Sequence, residues 1–156
     1  MVESPPMPSV VVIDVLNSLL EAELNSIFRY MDESSPYLGR ATAEVRRPLQ
    51  EMVNANQRHT TELALMIERL GGTPLPRSIS PEEQYLAFLS LKFLLPKLVE
   101  AKKLCIQRYD NAMKAIPDAP AEVKAMLRAH QADHRAHLAI LEKAATDVQQ
   151  APHEPR

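Results

Sequence analysis

The 156-residue sequence contains no tryptophan, a single cysteine and three glycines, and only 4% of its residues are aromatic. The single cysteine, Cys105, excludes an internal disulfide. With so few aromatic residues, the core must consist of leucine, isoleucine, valine, methionine and alanine, a composition that favours helices over sheets. The chain is long enough to bury the core of one domain. The sequence therefore predicts a single all-α domain.

An excess of one charge and long apolar runs are also missing. The 18 basic and 20 acidic residues are mixed along the chain and give a net charge of −2, so no basic surface for nucleic acid is predicted. No apolar stretch approaches the roughly 18 residues that a membrane-spanning helix needs. The short apolar run at residues 10–13 is too brief for a secretory signal. We expect a cytoplasmic protein that binds neither nucleic acid nor a membrane.

The thirteen prolines lie in clusters that divide the chain into four segments. Proline lacks the backbone N–H that a helix interior needs, so it tends to mark helix ends. The segments between the clusters predict helices over residues 9–35, 41–70, 81–116 and 120–149. Gly71 and Gly72 supply a stop for the second helix. Pro48 and Pro96 fall within the second and third segments, where each either begins the main part of a helix or kinks it.

The lengths of the connections predict the topology. The links between helices one and two and between helices three and four are short, which makes each pair antiparallel neighbours. The proline-rich connection after Gly71 is long enough to run along the bundle. We therefore expect an antiparallel four-helix bundle with one long crossover between helices two and three. The bundle should occupy residues 9–149, with disordered segments at residues 1–8 and 150–156.

Polar side chains occupy the helix faces that should point inward. Residues three and four positions apart share a face. On this basis Glu23 lies on the apolar stripe of helix one, and Asn56 and His59 lie on that of helix two. Helix four contributes the residues His130, Asp133, His134 and His137. A single buried histidine is usually a hydrogen-bonded core residue, but imidazole is also the commonest transition-metal ligand, and a buried carboxylate needs a partner. The convergence predicts a metal centre made of these seven residues.

The sequence around Glu23 resembles the first-helix signature of bacterioferritin and its ferritin-like relatives. It reads LNSLLEAEL over residues 16–24 and is followed by Tyr30, with Glu23 at the position of a metal-ligating glutamate. The Glu-x-x-His motifs of these proteins correspond here to Asn56-Gln57-Arg58-His59 and His134-Arg135-Ala136-His137. The resemblance covers most of the chain in pattern. It implies a ferritin-like bundle, iron or oxidative-stress chemistry, and a homodimer through helices one and two.

The donor set differs from that of a di-iron centre. Di-iron bundles use a glutamate from each of two helices and Glu-x-x-His from each of the other two. Here Asn56 and His134 replace two of those carboxylates, and Lys97 aligns with a third. Two ferrous ions bring four positive charges, which so few carboxylates cannot balance. We expect instead one zinc, copper, nickel or ferrous ion, with iron and zinc preferred, held by Glu23, His59, His134 and His137, with His130 in reserve.

Two alternatives remain open at this stage. Lys97 could pair with Glu23 and replace the missing cation, which would make the protein a metal-free structural or interaction bundle. An active di-iron oxidase would require ligands that the pattern does not reveal, so an enzymatic activity stays undecided. No haem is expected, since Gln57 stands where bacterioferritin has its methionine ligand. Cys105 is predicted to be inert packing on helix three.

Overall fold

The computed structural model describes residues 8–28, 43–76 and 91–150. They form four helices, which are α1 (Pro8–Leu24), α2 (Ala43–Arg69), α3 (Leu91–Ala115) and α4 (Ala121–Gln150). This part of the chain contains no strand, so the predicted all-α fold is confirmed. None of the described helices is long and apolar enough to cross a membrane. Tyr30, the start of the predicted third helix and most of the predicted disordered ends lie outside the described residues.

Two apolar clusters show the direction of each helix. The first cluster joins the start of α1 to the end of α2, the end of α3 and the start of α4, through residues such as Val12, Ile67, Ile116 and Val123. The second joins the residues after α1 to the start of α2, the start of α3 and the end of α4, through Phe28, Leu49, Leu94 and Leu141. Helices α1 and α4 therefore run one way, and α2 and α3 run the other. The end of α2 and the start of α3 therefore lie at opposite ends of the bundle, as the predicted crossover between them requires.

The packing of the helices leaves a polar layer between the two clusters. Helix α1 packs on α2 and α3, and α4 packs on α3 and α2, so α1 and α4 are related across a diagonal. Polar side chains from all four helices are buried in this layer, namely Glu23, Asn56, His59, Lys102, His130 and His134. Burying so many polar groups is tolerable only where they bond to one another.

Helix α1 ends at Leu24, so the predicted continuation of an uninterrupted helix to residue 35 is wrong. The side chain of Asn25 donates a hydrogen bond of 2.7 Å to the main-chain carbonyl of Glu21, and the Ser26 hydroxyl accepts one of 3.2 Å from the Phe28 amide. Asparagine and serine side chains compete in this way with helical hydrogen bonds. The chain then makes a short 3₁₀ turn that places Ile27 and Phe28 in the second apolar cluster.

The end of α2 follows the glycine prediction. Gly71 has a φ of 87°, a left-handed conformation that glycine adopts without strain, and the Gly72 amide donates to the Ile67 carbonyl at 2.9 Å. Asn17 of α1 fixes the segment that follows α2. Its side chain accepts a hydrogen bond from the Leu75 amide and donates one to the Thr73 carbonyl. Pro48 lies inside α2, which begins at Ala43, so it does not begin the helix.

Candidate metal centre

Glu23 lies in the last turn of α1 and receives hydrogen bonds from each of the other three helices. Its side chain is 1% exposed. Its Oε1 accepts a bond of 2.9 Å from Asn56, while its Oε2 lies 3.1 Å from His59 Nδ1, 2.8 Å from the Tyr109 hydroxyl and 2.8 Å from His134 Nε2. Burial alone would raise the pKa of Glu23, but the hydrogen bonds and charges of His134 and His59 outweigh it and lower the pKa well below the ordinary value. The buried carboxyl is therefore ionised.

The early end of α1 contributes directly to this geometry. The Asn56 amide donates a second bond of 2.9 Å to the main-chain carbonyl of Glu23, which a continuous helix would have used for its own ladder. Asn56 thus holds both the backbone and the carboxylate of Glu23. The amide oxygen Oδ1 of Asn56 is buried and has no hydrogen-bond partner among the described residues.

Lys102 on α3 is the only buried lysine among the described residues, at 3% exposure, and it bonds to His134. Its Nζ lies 3.0 Å from His134 Nδ1 and 4.3 Å from the centre of the Phe28 ring. Burial lowers the pKa of Lys102 to about 8, against the raising effect of the Glu23 charge, so the ammonium persists at neutral pH. Burial also lowers the pKa of His134, which favours the neutral ring. Because an ammonium can only donate, Nδ1 accepts from Lys102 and Nε2 carries the proton that faces Glu23.

The prediction that Lys97 pairs with Glu23 is wrong. Lys97 is exposed, whereas Lys102 faces the centre. The inner stripe of α3 runs through Leu98, Lys102, Cys105, Tyr109 and Ala112, with steps of three and four residues. Lys102 and Tyr109 on this stripe contact the centre and are not among the residues predicted from the sequence.

Cys105 packs against the first apolar cluster, as predicted, and its sulfur also contacts the polar centre. Its Sγ lies 3.3 Å from His134 Nε2. Glu23, Cys105 and His134 each offer one potential ligand atom, and the three atoms all lie within 4.8 Å of one another. Burial, assisted by the charge of Glu23, raises the pKa of Cys105 to about 12, so the sulfur is a thiol while no cation is bound.

His59 connects the buried carboxylate to a more exposed one. Its ring is fully buried, with Nδ1 facing Glu23 and Nε2 lying 2.9 Å from Asp133 Oδ2. Asp133 also bonds to Arg58 at 2.6 Å. Partial burial raises the pKa of Asp133, but the bonds to His59 and Arg58 lower it by more. Both ring nitrogens of His59 meet acceptors, and only the imidazolium can donate to both.

His130 and His137 do not touch the Glu23 carboxylate. His130 lies between the Tyr109 hydroxyl, at 3.1 Å, and the exposed Glu62, at 2.7 Å, with its ring stacked on that of His59. Burial and the charge of His59 lower its pKa to about 4. The His137 ring centre is 6.3 Å from that of His134, and its Nδ1 is buried with no partner in the described parts of the chain. Burial and the Lys102 charge lower its pKa to about 3.

The structure thus brings together four of the seven predicted site residues, Glu23, Asn56, His59 and His134. Asp133 and His130 lie one hydrogen bond further out, and His137 does not join the network. A cavity of about 340 Å³ opens between α1 and α3, and its lining includes Ala22, Ile27 and Cys105.

A known structure shares this architecture. The crystal structure of bacterioferritin from Desulfovibrio desulfuricans, described for its diiron site in different catalytic states, matches 91% of this chain and 82% of its own, with a TM-score of 0.72 and 18% identity. The fold is that of a ferritin-like bundle. No protein-family model matches the sequence, and no curated protein resembles it significantly.

A di-iron centre does not fit the residues in the middle of this ferritin-like bundle. Such centres are built from about four carboxylates and two histidines. Here Glu23 is the only buried carboxylate among the described residues, and Asp133 and Glu62 reach the centre only through His59 and His130. Lys102 adds a positive charge in the same place. The donor set that is present, one carboxylate with sulfur and imidazole, suits a single ion instead.

Proposed function

We propose that this ferritin-like protein binds one divalent transition-metal ion, with zinc favoured, at Glu23, Cys105 and His134. The observation that carries the proposal is the placement of the three donor atoms within 4.8 Å of one another in the buried polar layer. Carboxylate oxygen, thiolate sulfur and imidazole nitrogen are the ligands of tetrahedral zinc sites. The described residues supply three protein ligands, which leaves the fourth tetrahedral position for water.

The charges of the ligands support one ion rather than two. A thiol that coordinates a metal loses its proton, so Cys105 and Glu23 would together supply two negative charges. These balance one divalent cation within the low-dielectric layer. A second ion would add two further positive charges beside Lys102, with no buried carboxylate among the described residues to balance them.

Iron-related chemistry, a homodimer through α1 and α2, and a cytoplasmic location stay predictions. The likeness to a bacterioferritin supports a link to iron, and the diiron site belongs to that protein. The sulfur and nitrogen donors of this chain favour zinc over iron.

Cobalt titration tests the proposal, because Co²⁺ occupies tetrahedral zinc sites and absorbs visible light. We expect about one equivalent to bind per chain, with visible bands of tetrahedral Co²⁺ and a near-ultraviolet band from sulfur coordination. Cys105→Ser should remove the near-ultraviolet band, and Glu23→Gln should abolish tight binding. His137→Gln is the matched control, since His137 lies outside the network. Binding of less than about a tenth of an equivalent, or a spectrum that Cys105→Ser leaves unchanged, would refute the proposed site.

A second candidate, a metal-free structural bundle, is favoured by the pairing of Lys102 with His134. That contact links the Lys102 ammonium through the His134 ring to the Glu23 carboxylate and completes a hydrogen-bonded network without any ion. The melting temperature separates the two candidates, because a ligand stabilises only the state that it binds. An unchanged melting temperature in excess Zn²⁺ supports the metal-free bundle, and a rise supports the metal centre.

A further inference from the structure

The Lys102 ammonium occupies an unusual position for a group beside a metal ligand. Histidines that bind a metal through one ring nitrogen normally donate the N–H of the other to a carboxylate, a carbonyl or water. Here the second nitrogen of His134, Nδ1, instead lies 3.0 Å from a buried ammonium, which can only donate. The second nitrogen of His134 therefore accepts a hydrogen bond, whereas that of a metal-bound histidine normally donates one.

This contact decides which nitrogen of His134 carries the proton. When Nδ1 accepts from Lys102, the neutral ring must hold its proton on Nε2, and the 2.8 Å contact between Nε2 and Glu23 Oε2 is then a normal donor to acceptor bond. A protonated Nε2 has no lone pair for a cation. The nitrogen that faces Cys105 and Glu23 is thus blocked as a ligand for as long as the Lys102 bond persists.

The surroundings of Lys102 keep this bond in place. The side chain is 3% exposed, and its ammonium lies 4.3 Å from the centre of the Phe28 ring, an attractive position for a cation. Phe28 is itself 1% exposed and is fixed in the second apolar cluster by the 3₁₀ turn after α1. An ion that enters the centre must break a contact that two helices and this turn hold together.

We propose that Lys102 is an internal competitor of the metal ion, because it holds His134 in the tautomer that cannot bind metal through Nε2. This inference rests on the proposed metal function and concerns what sets the affinity of that site. Metal binding then requires the Lys102–His134 bond to break. Once this bond is broken, the proton of His134 can move from Nε2 to Nδ1, and Nε2 can bind the metal. The affinity of the centre is consequently lower than its ligands alone would give.

Substitutions of Lys102 test the inference through Zn²⁺ affinity, measured by competition with a chromophoric chelator. Lys102→Met removes the donor, and we expect the dissociation constant to fall about tenfold. Lys102→Glu supplies the carboxylate that a metal-bound histidine normally finds, and the constant should fall by about 100-fold. Lys102→Arg retains a charged donor and should bind zinc much as the unmodified chain does. Lys97→Glu, on the exposed face of the same helix, controls for the change in net charge and should have little effect.

Nitrogen-15 NMR of the metal-free protein reports the tautomer directly, and a purely structural role for Lys102 would not change it. We expect His134 to be protonated at Nε2 in the unmodified chain and in Lys102→Arg, and to shift towards Nδ1 protonation in Lys102→Glu. The inference is overturned if Lys102→Met binds zinc no more tightly than the unmodified chain, or if His134 already carries its proton on Nδ1. Failure of every form of the chain to bind zinc, with an Nε2 proton on His134, would instead refute the metal function.

Discussion

His134 Nε2 lies 2.8 Å from Glu23 Oε2, so a residue of α4 meets a residue of α1 across the diagonal of the bundle. The two residues are separated by 111 positions in the sequence. Neighbouring helices contribute the other donors, and the carboxylate of Glu23 becomes the one group that all four helices share. Its charge should therefore matter to folding as well as to metal binding.

Glu23→Gln should destabilise the metal-free protein strongly. The substitution leaves the buried ammonium of Lys102 without its counter-charge, and breaking a buried pair on one side costs about 3 kcal/mol or more. Urea unfolding in the presence of a chelator measures the loss. Glu62→Gln is the matched control at an exposed carboxylate and should cost less than about 1 kcal/mol. The double variant Glu23→Gln with Lys102→Met should regain much of the loss, and a Glu23→Gln protein as stable as the unmodified chain would contradict this reading.

Asn17→Ala should loosen the beginning of the crossover. The Asn17 side chain accepts a bond of 2.8 Å from the Leu75 amide and donates one of 3.2 Å to the Thr73 carbonyl. Loss of these two partly buried bonds should cost about 1 to 2 kcal/mol. Amide hydrogen exchange should show faster exchange at Leu75, while amides in the middle of α2 change only with the global stability. Unchanged protection at Leu75 would show that the segment is held by other contacts.

The two glycines at the end of α2 should respond differently to alanine. Gly71→Ala has open space for its methyl group but would adopt a φ of 87°, which should cost about 1 kcal/mol. Gly72→Ala should cost more, since its Cβ would lie 2.7 Å from Cγ2 of Ile13. Adding Ile13→Ala should restore part of the stability that Gly72→Ala loses, and none of the stability that Gly71→Ala loses. Thermal unfolding of the four variants checks this, and equal responses to Ile13→Ala would contradict it.

Mild acid should destabilise the metal-free protein before any carboxylate is protonated. Burial lowers the pKa of His130 to about 4 and that of His137 to about 3, whereas both are near 6.5 in an unfolded chain. As the pH falls from 6.5 towards 4, the unfolded chain takes up protons that the folded chain does not, so stability is lost. Each of the two histidines should contribute up to about 2 kcal/mol to the loss between pH 7 and pH 5, measured by urea titrations.

Variants assign this loss to the buried histidines. His137→Gln should reduce the dependence on pH within this window. The contribution of the ionised Glu23 is lost only at lower pH, because its folded pKa lies below the unfolded value of 4.5. A stability that stays constant from pH 7 to pH 5 would mean that the histidines are already charged in the folded protein.

The bundle and much of its polar layer could be predicted because both follow from periodicity and from proline. The proline clusters mark the long helices and the crossover, and the steps of three and four residues place Glu23, His59 and His134 inside. The early end of α1 could not be predicted, because Asn25 and Ser26 are tolerated within helices and end one only when their side chains bond to backbone groups.

The role of α3 could not be obtained from the sequence alone. A lysine is rarely buried unless it is paired, so the local sequence of α3 does not mark Lys102 as an inward-facing residue. Lys102 is tolerated only because His134, 32 residues away on α4, accepts its hydrogen bond. The position of Cys105 beside Glu23 likewise depends on how α1 packs on α3, which no local pattern encodes. His137 was predicted to be a ligand because it lies on the inward face of α4. Its ring centre is 6.3 Å from that of His134, and its Nδ1 has no hydrogen-bond partner among the described residues.

The most direct test is a crystal of the protein grown with Zn²⁺ and measured on both sides of the zinc absorption edge. We predict one anomalous peak in the polar layer, about 2.0 to 2.3 Å from Glu23 Oε2, Cys105 Sγ and His134 Nε2, with Lys102 displaced from His134 Nδ1. A centre without a peak, in which the contacts of 2.8 Å and 3.0 Å made by His134 are unchanged, would contradict the proposed metal function.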